Sequence, residues 1–216
     1  MYKYGQQLVQ VFMIAIINHG LGNFASVLSA VKYLGFDAKV TKDLKEINNS
    51  NKIIIPGVGN YKFAMQNLEE LNLIETLNNQ ALIKKKPILG ICLGCQLLLN
   101  SSEEGGDISG LGWIDGSVKK FKNNKKFPIT HVGWNEININ KTSFLKDMPS
   151  KFLMYFNHSY YPYLKDDRAK IIGRTSYSSN FSSIFCKENI FGIQPHPEKS
   201  QKFGIQFLQN FLKNVS

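Results

Sequence analysis

A cysteine between two glycines is the residue of this sequence best suited to covalent chemistry. It lies in Gly90-Ile91-Cys92-Leu93-Gly94, at the end of a short apolar segment that follows Pro87. The pattern is the cysteine counterpart of the nucleophile elbow G-x-S-x-G, a sharp turn from a strand into a helix. Side chains two residues away on either side would collide in such a turn, which explains both glycines. The helix start favours the thiolate, and the backbone N–H of Leu93 is placed to donate to an oxyanion.

Cys92 and Cys95 also form a C-x-x-C pair, which leaves two other interpretations open. A redox pair can occupy a strand-to-helix turn of this kind. A zinc site needs two further ligands, and Cys186 with four scattered histidines supplies no second C-x-x-C or H-x-x-x-H. We therefore predict no metal and assign Cys95 to packing, because it falls at an apolar position of the helix start. A disulfide between Cys92 and Cys95 would block the nucleophile.

The base that a cysteine nucleophile requires is found in Gln194-Pro195-His196-Pro197-Glu198. The prolines restrict the backbone around His196, and in an extended segment Glu198 can project to the same side. The imidazole would take the thiol proton and later protonate the leaving group. The carboxylate would fix the tautomer and stabilise the imidazolium. The sequence therefore predicts a triad of Cys92, His196 and Glu198.

The elements that must position this triad alternate between short apolar strands and amphipathic helices in the first half of the chain. We predict strands at residues 12–17, 52–55 and 88–91, and helices at 24–34, 61–71 and 73–84. After residue 105 we predict strands at 117–121, 134–139, 152–161, 170–175 and 182–193, then a closing helix at 200–215. This order favours an α/β fold with a central, mostly parallel sheet flanked by helices and additional antiparallel strands in the second half.

Composition narrows the class of protein further. No repeat or low-complexity linker divides the chain, so we predict one domain over residues 13–216 with residues 1–12 as an N-terminal extension. Three irregularly spaced cysteines argue against a secreted disulfide framework and for the cytoplasm. No segment is long enough to span a membrane. The net charge of +10 comes mostly from lysine, and the basic stretches at 84–86 and 119–126 carry no nucleic-acid-binding motif. We expect neither a membrane nor a nucleic acid as partner.

These residues carry a resemblance to a known family. Residues 90–98 (Gly-Ile-Cys-Leu-Gly-Cys-Gln-Leu-Leu) and 194–200 (Gln-Pro-His-Pro-Glu-Lys-Ser) are similar to those of the triad-type, class I glutamine amidotransferases. Within that group, four further segments resemble the glutaminase subunit of imidazole glycerol phosphate synthase: residues 20–23, 56–59, 131–135 and 158–161. The motifs occur in order over residues 13–216. The resemblance implies a flavodoxin-like fold that hydrolyses glutamine to glutamate and ammonia through a cysteine thioester, without a cofactor.

The resemblance also implies a role for each matching residue. Backbone N–H groups of Leu93 and of the segment Gly57, Val58 and Gly59 would bind the oxyanion. The side chains and backbone that hold glutamine would be those of Gln96, Glu104, His158, Ser159 and Tyr160. Ammonia would pass to a separate synthase (cyclase) subunit, in a heterodimer of histidine biosynthesis. Trp134, Tyr155 and Lys199 match positions near the subunit interface; core packing for the two aromatics and a surface charge for Lys199 are the alternatives.

The chain also departs from the usual family pattern. The changed positions lie near the glutamine site or the synthase face and remove no catalytic group: Asn18, His19, Leu21, Cys95, Thr130, Asn157 and Pro195. A second partner therefore stays open, because paralogues of this subunit supply ammonia to sugar amidotransferases in surface-polysaccharide pathways. A non-catalytic scaffold, a peptidase and a redox protein are less favoured. Residues 56–59 lack the two consecutive glycines of most relatives, which predicts an oxyanion strand that must be repositioned before it can donate.

Overall fold

The computed structural model describes residues 13–123, 125–140, 142–145, 147–165 and 169–215, so the predicted extension at 1–12 lies outside the described residues. Its centre is a nine-stranded sheet. The parallel strands are β1 (Met13–Ile17), β2 (Asp37–Thr41), β3 (Lys52–Ile55), β4 (Ile88–Ile91) and β13 (Ile190–Ile193), in the spatial order β2-β1-β3-β4-β13. The antiparallel strands continue it in the order β12-β11-β8-β9: β8 (His131–Ile139), β9 (Lys151–His158), β11 (Lys170–Ser176) and β12 (Asn180–Lys187). The predicted fold class is confirmed.

Helices cover both faces of this sheet because its central strands are apolar on both sides. In β1, Ile14 and Ile16 pack into one hydrophobic core, while Ala15 and Ile17 pack into the other. The α-helices are α1 (Phe24–Tyr33), α2 (Leu44–Asn49), α3 (Tyr61–Glu70), α4 (Leu73–Asn78), α5 (Leu93–Leu97) and α6 (Gln201–Asn214). Buried residues of α1 and α6 belong to the first core, and those of α2, α3, α4 and α5 to the second.

The predicted helices are confirmed with small changes at their ends. A π-helical turn at Asn79–Ile83 continues α4, so the helix predicted at 73–84 changes its winding halfway. In α6 the predicted apolar face is buried at Phe207, Leu208, Phe211 and Leu212, with Phe203 packed against its rim. Among the described residues no helix is long and apolar enough to cross a membrane.

A second sheet of four strands packs beside the first and corrects one prediction. Its strands are β5 (Leu99–Ser102), β6 (Ile108–Ser109), β7 (Ile114–Lys120) and β10 (Tyr160–Leu164), in the order β10-β7-β5-β6. The single strand predicted over residues 152–161 is wrong. The chain pairs with β8 up to His158, crosses at Ser159, and pairs with β7 from Tyr160 onward. Apolar residues continue through this crossing, so the sequence pattern gives no sign of it.

The single strand predicted over residues 182–193 is also wrong. It is a hairpin in which β12 and β13 pair antiparallel around a turn at residues 188–189. Glu188 adopts a φ of 52°, and the turn lacks the glycine or Asn-Gly pair that usually marks such a hairpin. The sequence analysis also missed the short elements β2, α2, β5 and β6.

Candidate active site

Cys92 lies at the sharp turn between β4 and α5. Its φ of 53° and ψ of −111° belong to a region that residues with a side chain rarely occupy. A Cβ at Gly90 would lie 2.6 Å from the carbonyl oxygen of Gly94, and a Cβ at Gly94 would overlap the carbonyl oxygen of Ile55. Both glycines are therefore required by close packing of the backbone, as the elbow predicts. The Cys92 N–H donates to the Ile193 carbonyl at 2.8 Å, which ties the turn to β13.

His196 reaches this turn because β13 lies next to β4 in the sheet. The two strands run parallel with Ile193 opposite Ile91, so the segments that follow them emerge at the same edge. Nδ1 of His196 lies 2.8 Å from Oε1 of Glu198, and only 2% and 1% of the two side chains are exposed. The His196 side chain lies close enough to Cys92 for the charge of the sulfur to raise the pKa of the imidazole. The structure thus brings the three predicted triad residues to the same edge of the sheet, with His196 and Glu198 in direct contact.

The electrostatic environment distinguishes the two cysteines of the C-x-x-C pair. Burial lowers the pKa of His196, but the charge of Cys92, the hydrogen bond to it and the pairing with Glu198 together raise the pKa to about 10. An imidazolium beside the Cys92 sulfur is the partner that a thiolate requires, and this raised pKa favours that form of His196. Burial, and then the charge of Cys92, raise the pKa of Cys95 well above its ordinary value. Cys95 therefore stays a neutral thiol.

The thiol of Cys92 opens into a cavity of about 250 Å³. Ligand pockets are usually about 300–1,000 Å³, so this cavity suits a molecule as small as an amino acid. It is lined by predicted site residues, namely Val58, Gly59, Cys92, Leu93, Gln96, Glu104, His158, Ser159 and Tyr160, and also by Thr130 and Asn157. Those last two are positions where the chain departs from the family pattern. Gly57 lies directly behind the cavity wall, where a Cβ would come 2.9 Å from Cβ of Leu93.

Two of the predicted oxyanion donors are bonded to carbonyl groups of the protein. The Leu93 N–H donates to the carbonyl of Gly57 at 3.3 Å, and the Val58 N–H donates to the carbonyl of Leu21 at 3.2 Å. Gly59, the next residue of the segment, has a φ of 103°, which favours glycine there. Both N–H groups are thus engaged within the protein in this arrangement.

A buried glutamine that the sequence analysis did not assign contacts the nucleophile. Nε2 of Gln194 lies 3.6 Å from Sγ of Cys92, while its Oε1 accepts a hydrogen bond from Nε2 of Gln96 at 2.9 Å. Nε2 of Gln96 also donates to the carbonyl of Tyr160 at 2.9 Å. The signal in the sequence was its position two residues before His196, directly after β13.

Two histidines stand beside the cavity in neutral form. Burial lowers the pKa of His158 to about 3 and that of His131 to about 4. Nδ1 of His158 lies 2.7 Å from the carbonyl of Tyr160, which can only accept, so His158 Nε2 is itself an acceptor. It receives the Nδ1–H of His131 at 3.1 Å, and His131 Nε2 accepts from Asn135 at 3.1 Å. These bonds fix both tautomers and hold the Tyr160 carbonyl at the cavity wall.

Glu104 has both a structural contact and an exposed side toward the cavity. Its Oε2 accepts the N–H of Tyr61 at 2.9 Å, at the start of α3. Burial raises the pKa of the Glu104 carboxyl, although the bonds from Tyr61 and Asn60 oppose this effect. Glu104 can therefore contact a bound ligand while it caps α3.

The three residues predicted for a subunit interface form one cluster beside the triad. Trp134 and Tyr155 lie opposite each other on β8 and β9, with ring centroids 6.3 Å apart, and Lys199 Nζ is 6.0 Å from the Tyr155 ring. The Tyr155 carbonyl accepts the N–H of His196 at 2.9 Å. Trp134 is 46% exposed, so the alternative of a core aromatic is wrong for this residue.

The zinc and redox interpretations gain no support from the geometry. All three cysteines, Cys92, Cys95 and Cys186, are free thiols. Within the described ranges no three His, Cys, Asp or Glu side chains come together as metal ligands. Cys92 instead accepts an N–H from Gln194 and lies beside His196.

Fold and site together define a class of enzyme. A family model described as glutamine amidotransferase class-I matches residues 15–215, and the chain belongs to this family. Solved structures agree on the fold. "Structure of PurLQS from Thermotoga maritima" superposes with a TM-score of 0.73 at 17% identity, over 95% of this chain and 99% of that one. A glutamine amidotransferase from Thermotoga maritima gives 0.63 at 17% identity, over 95% and 98%.

Curated relatives carry a more particular name. "Imidazole glycerol phosphate synthase subunit HisH 2" of Methanococcus maripaludis is 45% identical over 204 residues, which are 94% of this chain and 100% of the relative. "Imidazole glycerol phosphate synthase subunit HisH" of Pelagibacter ubique is 43% identical over 92% of this chain and 98% of its own length. The Pseudomonas aeruginosa relative named HisH 2 is 39% identical over 94% and 100%.

Proposed function

We propose that this chain is the glutaminase subunit of imidazole glycerol phosphate synthase and acts in the cytoplasm. The observation that carries the proposal is that Cys92 lines an amino-acid-sized cavity and lies beside the buried pair of His196 and Glu198. The relatives named for this subunit match almost the whole chain at 39–45% identity. Glutamine is the substrate, and glutamate and ammonia are the products.

The reaction proceeds through a thioester. The Cys92 thiolate attacks the side-chain amide carbon of glutamine, and the negative charge moves to the amide oxygen. The His196 imidazolium gives its proton to the nitrogen, the C–N bond breaks, and ammonia leaves. Neutral His196 then takes a proton from water, the water oxygen attacks the thioester carbon, and the C–S bond breaks to release glutamate and the thiolate. Glu198 keeps Nδ1 protonated, so that Nε2 faces Cys92 in both steps.

The amide oxygen needs donors that this arrangement does not yet offer. Leu93 and Val58 are the nearest backbone candidates, and each N–H is bonded to a carbonyl, of Gly57 and Leu21 respectively. For the oxyanion to form, the Gly57–Gly59 segment must shift so that these bonds break. The protein is therefore a weak glutaminase alone and a strong one when its partner holds the segment in the donating position.

Glutamine is held by the residues around the cavity mouth. Both amide hydrogens of Gln96 are bonded to the Tyr160 carbonyl and to Gln194, so only Oε1 of Gln96 can contact substrate, as an acceptor. Glu104 supplies a second acceptor for the substrate α-ammonium group. Ser159, whose hydroxyl lies 2.9 Å from that of Thr130, borders the same cavity and can donate to the α-carboxylate.

The partner docks on the outer face of the β8–β9 hairpin. Three apolar side chains there are largely exposed: Val132 by 60%, Trp134 by 46% and Leu153 by 51%. Val132 lies two residues from Trp134 on β8, and Leu153 lies two residues from Tyr155, which is directly opposite Trp134 on β9. The three side chains therefore lie on the same face of the hairpin. Exposed apolar side chains grouped in this way are typical of an interaction surface. We call Val132, Trp134 and Leu153 the hairpin surface. It adjoins Tyr155 and Lys199, so a partner bound there would receive ammonia released beside His196.

The experiment is glutamate release by the purified chain with a cyclase partner and its ligand, with Cys92→Ala compared with Cys186→Ser as the matched control. We expect turnover in wild type and in Cys186→Ser, since Cys186 lies away from the cavity on β12, and none in Cys92→Ala. Equal release by wild type and Cys92→Ala would overturn the nucleophile assignment. Binding to a sugar amidotransferase but not to a cyclase would keep the enzyme class and replace the partner.

A further inference from the structure

Gln194 is a buried polar side chain in contact with the nucleophile, and the triad chemistry does not use it. It is 0% exposed, and its Nε2 lies 3.6 Å from Sγ of Cys92. That separation is within the usual range for a hydrogen bond to sulfur. A fully buried amide must find partners for both its donor and its acceptor, so its contacts are specified by the fold.

The hydrogen-bond network fixes which end of the amide faces the sulfur. The Tyr160 carbonyl can only accept, so the group of Gln96 at 2.9 Å from it must be the NH₂. The same NH₂ lies 2.9 Å from the Gln194 amide, whose nearer atom must then be Oε1. The remaining end of Gln194 is its NH₂, and it faces Cys92. Gln194 is therefore a donor to the sulfur.

Cys95 supports the same orientation. Burial raises the pKa of its thiol, so Cys95 keeps its proton and is a donor. Its Sγ lies 3.9 Å from Oε1 of Gln194, beside the donor from Gln96. Because Oε1 of Gln194 accepts from both Gln96 and Cys95, the amide is held with its N–H groups turned toward Cys92. The second cysteine of the C-x-x-C pair thus gains a role beyond packing.

We propose that Gln194 is a positioning residue for the glutaminase reaction, holding the Cys92 sulfur against His196 by donating an amide N–H to it. The donation favours the thiolate over the thiol, because a charged acceptor binds an N–H more strongly than a neutral one. This hydrogen bond stabilises the thiolate at two steps: before the sulfur attacks the amide carbon, and again when the C–S bond breaks. Gln194 transfers no proton, so the proton balance of the triad is unchanged.

The test is the pH dependence of Cys92 alkylation by iodoacetamide in a Cys186→Ser background. Gln194→Met keeps the length of the side chain and removes the donor; Gln194→Glu adds a charge that repels the thiolate. We expect Gln194→Met to slow alkylation at neutral pH about 10-fold and move the profile to higher pH, because bonds to charged groups contribute more than neutral ones. Gln194→Glu moves it further. Gln206→Met, the same change at a glutamine of α6 whose amide contacts the Asp147 carbonyl instead, is the control and stays within about 2-fold of wild type.

The proposal rests on the proposed glutaminase function, but alkylation uses neither glutamine nor partner, so the two can fail separately. With partner present, we expect kcat to fall about 10- to 100-fold in Gln194→Met. The KM for glutamine stays near that of wild type. An unchanged alkylation profile, or a change confined to KM, would show that Gln194 only shapes the pocket.

A measurement on wild type covers the case in which neither variant folds. The side-chain amide resonances of Gln194, followed by nuclear magnetic resonance, must shift over the same pH range in which Cys92 becomes reactive. Resonances that stay constant through that range would overturn the proposal.

Discussion

Nδ1 of His196 lies 2.8 Å from Oε1 of Glu198, and the pair is almost completely shielded from water. This relationship fixes the imidazole ring by a charged partner on one nitrogen and leaves the other nitrogen for Cys92. It also explains why a deeply buried histidine can be an imidazolium, since the pairing and the charge of Cys92 outweigh burial and raise the pKa to about 10. The chemistry of the cysteine therefore depends on a carboxylate that does not touch it.

Glu198→Gln should separate the charge of this residue from its shape. An amide of the same size can present an N–H to Nδ1 and favour the wrong tautomer, so we expect kcat to fall about 10²- to 10⁴-fold. Glu103→Gln is the matched control. Glu103 pairs with Lys119 at 2.7 Å on the surface, with both side chains about 40% exposed, and such pairs contribute little. Similar turnover in the two variants would contradict the role of Glu198.

The neutral histidines predict how stability depends on pH. Burial lowers the pKa of His131 to about 4 and of His158 to about 3, and it also lowers the pKa of His19. Below about pH 6.5 these histidines become protonated in the unfolded chain but stay neutral in the folded chain. The folded state therefore loses stability as pH falls. His196 adds nothing to this change, because its raised pKa gives stability that is fully present below pH 6.5 and is lost only toward about pH 10.

The measurement is the free energy of unfolding by urea at neutral pH and near pH 5. We expect a loss of about 1–2 kcal/mol for each buried neutral histidine. In His131→Gln the loss between neutral pH and pH 5 should be smaller by the contribution of one histidine. We also expect this variant to be less stable than wild type at neutral pH. A stability that rises between neutral pH and pH 5 would contradict neutral His131 and His158.

The engaged backbone donors predict activation through kcat. Because the N–H groups of Leu93 and Val58 are bonded to Gly57 and Leu21, partner and partner ligand should act by releasing them for the oxyanion. These donors bind the oxyanion, which forms only when the thiolate attacks the amide carbon. They therefore stabilise the transition state more than they stabilise bound glutamine, so kcat rises more than KM falls. Steady-state kinetics with and without partner ligand measure this. Equal kcat in the two conditions would show that the oxyanion donors are already in place.

The hairpin surface predicts where the partner binds. Trp134→Ala should weaken partner binding about 10- to 100-fold, as expected for a central aromatic side chain. Its control is Ile83→Ala, since Ile83 is 74% exposed but precedes β4 and so lies at the opposite edge of the sheet from Cys92. Calorimetric titration with the cyclase partner gives both affinities. If Ile83→Ala weakens binding and Trp134→Ala does not, the partner docks elsewhere.

Local patterns were enough to predict that Cys92, His196 and Glu198 come together and to predict most of the sheet. The elbow at Cys92 is visible because glycine is required on both sides by backbone contacts, and β4 is visible as an apolar strand. The fold class followed from the alternation of strands and helices. The division between two sheets at Ser159 was not predictable, because it depends on which strand each segment pairs with rather than on its composition.

Contacts between distant segments were also beyond the sequence. Gln194 lies in a recognised motif, yet its contact with Cys92 depends on the register between β13 and β4. The engagement of Val58 by Leu21 likewise depends on two loops meeting in space. The absence of two consecutive glycines in residues 56–59 predicts that the oxyanion segment must move. Only the structure identifies the carbonyl groups, of Gly57 and Leu21, that accept the N–H groups of Leu93 and Val58.

We propose that Cys92 carries the glutamyl group during turnover. The most direct measurement is peptide mass analysis after an acid quench of the chain, with isotopically labelled glutamine, partner and partner ligand present. We expect a labelled glutamyl thioester on Cys92, retained in Cys186→Ser and absent in Cys92→Ala, which also releases no glutamate. A label on Cys95 or Cys186, or continued glutamate release by Cys92→Ala, would contradict it.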